Sequence, residues 1–176
     1  MKNIETQNIF LTGFMGAGKS TVGHALATLT GCPFYDLDSL IVDKEQRSIA
    51  EIFKTDGEEY FRNCETTVLS GLNEEKNAVY ATGGGIVLRE ENRTLMRDTG
   101  RIIYLRSRWD TLRERLKDSV DRPLVDPAKE WYDLEQLWLQ RIPLYQDADL
   151  IVDTDGISPR QVAEKIVSMM QTELKE

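Results

Sequence analysis

The chain has 176 residues, 30 of them acidic against 22 Lys plus Arg, for a formal net charge of −8. That length suits one domain spanning 1–176, and a composition that is 40% hydrophobic and 30% charged suits a globular chain rather than a disordered or collagen-like one. The acidity argues against nucleic acid or an anionic membrane as partner, no apolar run nears the ~18 residues of a membrane span, and no secretory signal is read at the N-terminus, so a cytoplasmic location is expected.

In chain order, Ile9-Phe10-Leu11-Thr12 reads as a first strand, followed by a helix over 19–30. A second strand is expected at Pro33-Phe34-Tyr35-Asp36, then helices over 39–53 and 58–73. Ala78-Val79-Tyr80-Ala81-Thr82 gives a third strand, with a helix over 90–96. A fourth strand over 101–105 and helices over 108–116 and 134–141 come next. A fifth strand covers 149–152, and the last helix covers 159–174, with Ser158 as N-cap and Pro159 at the first helical position. The strands are short and apolar on both faces, as in a buried parallel sheet, and their alternation with helices means an α/β fold with helices on both faces. Residues 117–130, with three Asp and two Pro, read as an exposed loop of the kind that serves as a lid.

Cys32 and Cys64 are too few for a disulfide scaffold or a four-cysteine metal site. His24 is the one histidine, lies in the helix behind the first turn, and reads as structural. Trp131 and Trp138, spaced i, i+7, read as packing residues.

Gly13-Phe14-Met15-Gly16-Ala17-Gly18-Lys19-Ser20 matches G-x-x-x-x-G-K-[ST] in full, between a strand and a helix, and Thr21 follows. Glycines let the backbone turn tightly and aim N–H groups at phosphate oxygens, and the helix N-terminus adds partial positive charge. Lys19 would bridge β- and γ-phosphates, and the Ser20 hydroxyl would ligate Mg²⁺. A dinucleotide fingerprint fits less well, since Gly16-Ala17-Gly18 is followed by Thr21 where Gly or Ala is wanted. The GTPase patterns are absent from their places: Asp153-Thr154-Asp155-Gly156 follows the fifth strand instead of the third. Asp36 and Asp38, two apart in an extended chain, are expected on one face at the end of the second strand, beside the phosphate loop, with N-cap duty for the next helix as the ordinary alternative.

Taken together, Gly13–Thr21, Asp36-Leu37-Asp38, Phe61-Arg62 with Glu65, Gly83-Gly84-Gly85, Arg122-Pro123-Leu124 and Arg141-Ile142-Pro143-Leu144-Tyr145 resemble the shikimate kinase family, from Ile9 to about Ile166. The resemblance implies a three-layer P-loop kinase fold with a five-stranded parallel sheet of order 2-3-1-4-5, a substrate-binding subdomain about 38–65 and a mobile lid about 116–130. It implies transfer of the ATP γ-phosphate to the 3-hydroxyl of shikimate, in the route to aromatic amino acids. A monomer is expected, apart from the resemblance. Gly16, Ala17, Gly18, Lys19, Ser20 and Thr21 would bind ATP, with Arg115 along the adenine and Arg122 closing over the phosphates. Asp38 would hold the acceptor hydroxyl, as base or as orienting group, and Arg62 and Arg141 would clamp the shikimate carboxylate. Gly83, Gly84 and Gly85 would bring backbone N–H groups to the substrate. Ser20, and Asp36 through water, would hold the metal. Lys19, Asp38 and Arg122 are the expected catalytic residues.

The side-chain chemistry suits these roles: an Arg fork binds a carboxylate bidentately, and glycine admits close approach. Each arginine also has an ordinary reading, Arg62 as a helical pair with Glu58 or Glu65, Arg141 near a helix C-terminus, Arg122 as a loop charge, and Arg115 beside Glu114 or Asp118. The turn 153–159 departs from the family in being acidic and neutral, which puts side-chain contacts to adenine there in question. The alternatives are another small-molecule kinase, of gluconate or nucleoside-monophosphate type, and a non-catalytic nucleotide sensor.

Overall fold

The computed structural model describes residues 7–72, 77–117 and 131–173. Five strands form one parallel sheet in the order β2-β3-β1-β4-β5, the order implied by the resemblance: β1 (Asn8–Thr12), β2 (Phe34–Asp36), β3 (Val79–Ala81), β4 (Gly100–Arg106) and β5 (Leu150–Asp153). Central β1 is buried along its whole length, and Phe10 stacks on Tyr80 of β3, which stacks on Tyr35 of β2. Apolar and aromatic residues on both faces are what a strand covered from both sides requires, so the short runs form strands.

The helices are α1 (Lys19–Thr30), α2 (Leu37–Glu45), α3 (Ile49–Thr55), α4 (Gly57–Gly71), α5 (Glu90–Thr99), α6 (Trp109–Lys117), α7 (Trp131–Gln146) and α8 (Pro159–Glu173), with a 3-10 turn at Ile86–Leu88 before α5. α1 and α8 pack together, and α4 packs on α5, which meets β4. Trp109 of α6 stacks on Trp138 and meets Trp131 edge-on, so the tryptophans are packing residues as expected. His24 lies against the Phe34 ring, 3.9 Å between centroids.

Two expectations are corrected. The single helix over 39–53 is two, α2 and α3, because Gln46 adopts a left-handed φ of 54° and Ser48 starts a new helix with a capping box to Glu51. The helix over 134–141 runs on to Gln146 through Pro143, so Arg141 lies inside α7 and not near its end. Leu116 and Lys117, where the lid was expected to begin, belong to α6, while 118–130, with Arg122, lies outside the described residues.

Candidate active site

The turn after β1 needs three glycines with positive φ, Gly13 at 145°, Gly16 at 81° and Gly18 at 88°. A Cβ on Gly13 would also come within 2.9 Å of the Leu105 carbonyl oxygen. The turn ends on α1, whose N-terminus has no side-chain cap and no acidic residue in its first turn, leaving its N–H groups to an anion. Lys19 is buried, and its Nζ donates to the carbonyls of Gly13 at 2.8 Å and Phe14 at 3.0 Å.

On one side of this loop a pocket of about 410 Å³ is bounded by Gly16, Gly18 and Thr21, by Arg115, and by Thr154 and Ile157. Arg115 Nη1 donates to Gly16 O at 3.1 Å, so its partner is the phosphate loop rather than Glu114. The acidic residues of the 153–159 turn are taken up by the end of β4 and the residues just after it. Arg106 donates two bonds to Asp153, at 2.5 and 2.9 Å, and holds that carboxyl below its ordinary range. The Arg108 N–H donates to Asp155, and Ser107 and Thr154 share a bond of 2.6 Å. Thr154, Ile157 and Pro159 are therefore what this turn presents to the pocket.

On the other side lies a larger pocket of about 550 Å³. Val42, Ile49, Phe53 and Phe61 supply an apolar wall, and Asp38, Arg62, Glu65, Arg141 and the glycine run 83–85 supply a polar one. Asp36 and Asp38 both border it, but not through strand alternation: β2 ends at Asp36, and Asp38 stands in the first turn of α2. Asp36 does two jobs. Its Oδ1 caps α2 by accepting from the Asp38 and Ser39 N–H groups, and its Oδ2 accepts from Ser20 Oγ at 2.7 Å.

Arg62 does make the helical pairs its neighbours allow, to Glu58 at 2.9 Å and Glu65 at 2.7 Å, the first reaching an exposed carboxylate and the second buried on both sides. It is 5% exposed and reaches the pocket floor, where a Cβ on Gly85 would fall inside contact distance of its guanidinium. A side chain at position 85 would have to push that guanidinium aside. Burial pulls its pKa down, yet the carboxylates of Glu65 and Glu58 outweigh that and raise it, so Arg62 is charged. Arg141 is 5% exposed, its Nη1 is 3.5 Å from Gly84 O, and its Nε is buried with no hydrogen-bond partner among the described residues. A buried cationic N–H without an acceptor is costly, and an incoming carboxylate would satisfy it.

Glu65 is the site residue that had no role assigned from sequence. It is 2% exposed, and burial pushes its carboxyl up to about 7, against the opposing pull of Arg62 and with help from the Asp38 charge. Its Oε1 and Asp38 Oδ1 converge on Gly83, at 2.9 and 3.0 Å from where a Cβ would sit. The i, i+3 spacing from Arg62 was visible in the sequence, whereas its burial was not.

The family model for shikimate kinase matches residues 15–171. A shikimate kinase from Chromobacterium violaceum is 47% identical over 148 residues, 84% of this chain and 80% of the relative. One from Thermodesulfovibrio yellowstonii is 40% identical over 161 residues, 92% of this chain and 93% of the relative. A solved shikimate kinase from Acinetobacter baumannii, in complex with shikimate, superposes with a TM-score of 0.90 at 36% identity, covering 96% of this chain and 94% of that one. A gluconokinase from Sinorhizobium meliloti shares the fold, with a TM-score of 0.64 at 18% identity.

Proposed function

The chain belongs to the shikimate kinase family, and from that premise we propose that it transfers the γ-phosphate of ATP to the 3-hydroxyl of shikimate, giving shikimate 3-phosphate and ADP. The observation that carries the reading to this chain's own residues is the meeting of two buried arginines, Arg62 and Arg141, with a glycine run in a pocket beside the phosphate loop. A cyclic polyol carrying one carboxylate suits that lining: the forks of Arg62 and Arg141 take the carboxylate, Asp38 takes the hydroxyls, and Val42, Phe53 and Phe61 cover the ring. A nucleoside-monophosphate acceptor would bring a doubly charged phosphate and a base, for which this pocket of about 550 Å³ offers two buried arginines and one aliphatic-aromatic wall.

The hydroxyl oxygen attacks the γ-phosphorus as the bond to the bridging oxygen of ADP breaks, and the hydroxyl proton passes to Asp38. A loose transition state asks for little early deprotonation, so orienting the hydroxyl is the larger part of that residue's work. Lys19 moves from its loop carbonyls to the β- and γ-phosphate oxygens, while Gly16–Thr21 hold the phosphates by N–H groups. Ser20 Oγ and Asp36 Oδ2, 2.7 Å apart, present the hard oxygen donors that Mg²⁺ prefers, with Asp36 acting through water. Held by these two residues, the metal would supply positive charge against that of the phosphates. Arg115 flanks the nucleotide, and Arg122, read from its motif in the segment after α6, would close over the phosphates. The subdomain of about 38–65 holds the acceptor.

No helix among the described residues is long and apolar enough to cross a membrane. We place the enzyme in the cytoplasm as a monomer without a nucleic-acid partner, in keeping with its −8 charge. ADP release measured against shikimate, gluconate and AMP tests the reading. Shikimate-dependent release that Lys19→Ala abolishes is expected. Release with gluconate or AMP and none with shikimate would reassign the acceptor, and release with none of the three would leave a nucleotide sensor.

A further inference from the structure

The carbonyls of the glycine run are all held from within. Gly83 O accepts from the Ile86 N–H at 3.2 Å, and Gly85 O accepts from the Leu88 N–H at 3.0 Å, both closing the 3-10 turn. The carbonyl between them, Gly84 O, accepts from the Tyr145 hydroxyl. Tyr145 does not line the acceptor pocket. It stands behind the run, 1% exposed, with its ring stacked on Tyr104 of β4 at 5.3 Å and 19°. It also lies one helical turn beyond Arg141 on α7, so one face of one helix carries both the arginine and the hydroxyl.

We propose that Tyr145 is a positioning residue for the phosphoryl acceptor, fixing the plane of the Gly84–Gly85 peptide and with it the direction of the Gly85 N–H. The peptide is trans, as is every described peptide bond, so its N–H points away from its carbonyl and hence away from Tyr145. Glycine on both sides of the bond imposes almost no conformation of its own, which leaves that plane to outside partners. The 3-10 turn anchors the neighbouring carbonyls but not this one. Tyr145 also keeps Arg141 available. With the hydroxyl gone, Gly84 O keeps Arg141 Nη1, which already donates to it at 3.5 Å, and a tighter bond there would draw the guanidinium off the pocket.

The proposal rests on the shikimate reading above, and Tyr145→Phe tests it because the change deletes one hydroxyl and keeps the stacked ring. The expected result is a KM for shikimate raised about 5- to 150-fold, the range for a buried acceptor that loses its donor, with the KM for ATP within twofold of wild type. Calorimetric titration of shikimate into the same variant, which needs no turnover, should show the same loss of affinity. A wild-type shikimate KM in the variant, or equal rises in both KM values as a general loss of structure would cause, would overturn the proposal. Wild-type enzyme that releases no ADP with shikimate strikes instead at the reading beneath it and takes the proposal with it.

Discussion

Glu65 packs a carboxyl, 2% exposed, between the Arg62 guanidinium and Asp38, and its pKa of about 7 is raised mainly by burial from an ordinary 4.5. The folded protein therefore keeps a proton on Glu65 through a range where the unfolded chain has lost it. In that range folding takes up a proton, so the stabilisation from this group is fully present below about 4.5 and is lost as pH rises through about 7. At about 1.4 kcal/mol per unit, the loss is on the order of 3 kcal/mol. Urea unfolding at pH 5 and pH 8, for wild type and Glu65→Gln, isolates it: wild type should lose stability relative to the variant across the interval. A difference that stays flat would put the Glu65 pKa back near 4.5. What the sequence displayed of this residue was its spacing from Arg62. The same holds for Tyr145, seen as the end of Arg-x-Pro-Leu-Tyr and given no task, because a hydroxyl that serves a backbone carbonyl 61 positions away leaves no local pattern.

The elements that position these residues were legible to different degrees. β1, α1 and the phosphate loop were read at their true places because glycine spacing, strand and helix all point the same way. The break between α2 and α3 was missed although Ser48-x-x-Glu51 is a capping-box pattern, since Leu40, Ile41, Ile49, Ile52 and Phe53 keep up an apolar rhythm across it. The extension of α7 was missed for the opposite reason: Pro143 is a sound stop signal that lost to packing of Leu134, Arg141 and Tyr145 on one side of the helix. The α2–α3 break matters to the site, since Ser48 and Ile49 border the acceptor pocket. Ser48 Oγ accepts from the Glu51 N–H at 3.2 Å, and Glu51 Oε2 accepts from the Ser48 N–H at 2.8 Å. Ser48→Ala should cost about 1 kcal/mol of stability, the usual value of an N-cap. It should raise the shikimate KM while leaving that for ATP alone, because α3 forms part of the acceptor wall and none of the nucleotide pocket. An unchanged midpoint in urea would show that α3 is held by its buried Ile52 without the cap.

At the scale of the molecule, the charge is arranged more tightly than a count along the chain suggests. The stretch 106–122 holds six basic and four acidic residues, which reads as a cationic patch for phosphates. In the fold Arg106 and Arg108 are paired with Asp153 and Asp155 from β5 and its following turn, and Arg113 lies over the Trp131 ring. Among the described residues, Lys19, Arg115 and the backbone N–H groups of the loop are left to meet phosphates, and they would act over distances shorter than the ~8–10 Å Debye length and so tolerate a net −8. Both pockets open beside one loop at the end of central β1, so either ligand should stabilise the whole sheet and not a local part. A ligand at 100 times its Kd adds about 2.7 kcal/mol, and for a chain of this length that is a rise of about 5–10 °C in Tm. Wild type should show this rise with ATP and, separately, with shikimate. Arg62→Ala should keep the ATP shift and lose the shikimate shift, together with turnover reduced about 30- to 5,000-fold, because removing one partner of a desolvated charge pair costs ~2–5 kcal/mol. Scanning calorimetry of the two proteins with each ligand separates the contributions. Loss of both shifts in the variant would mean that Arg62 holds the sheet itself together, and retention of both would remove it from the carboxylate clamp.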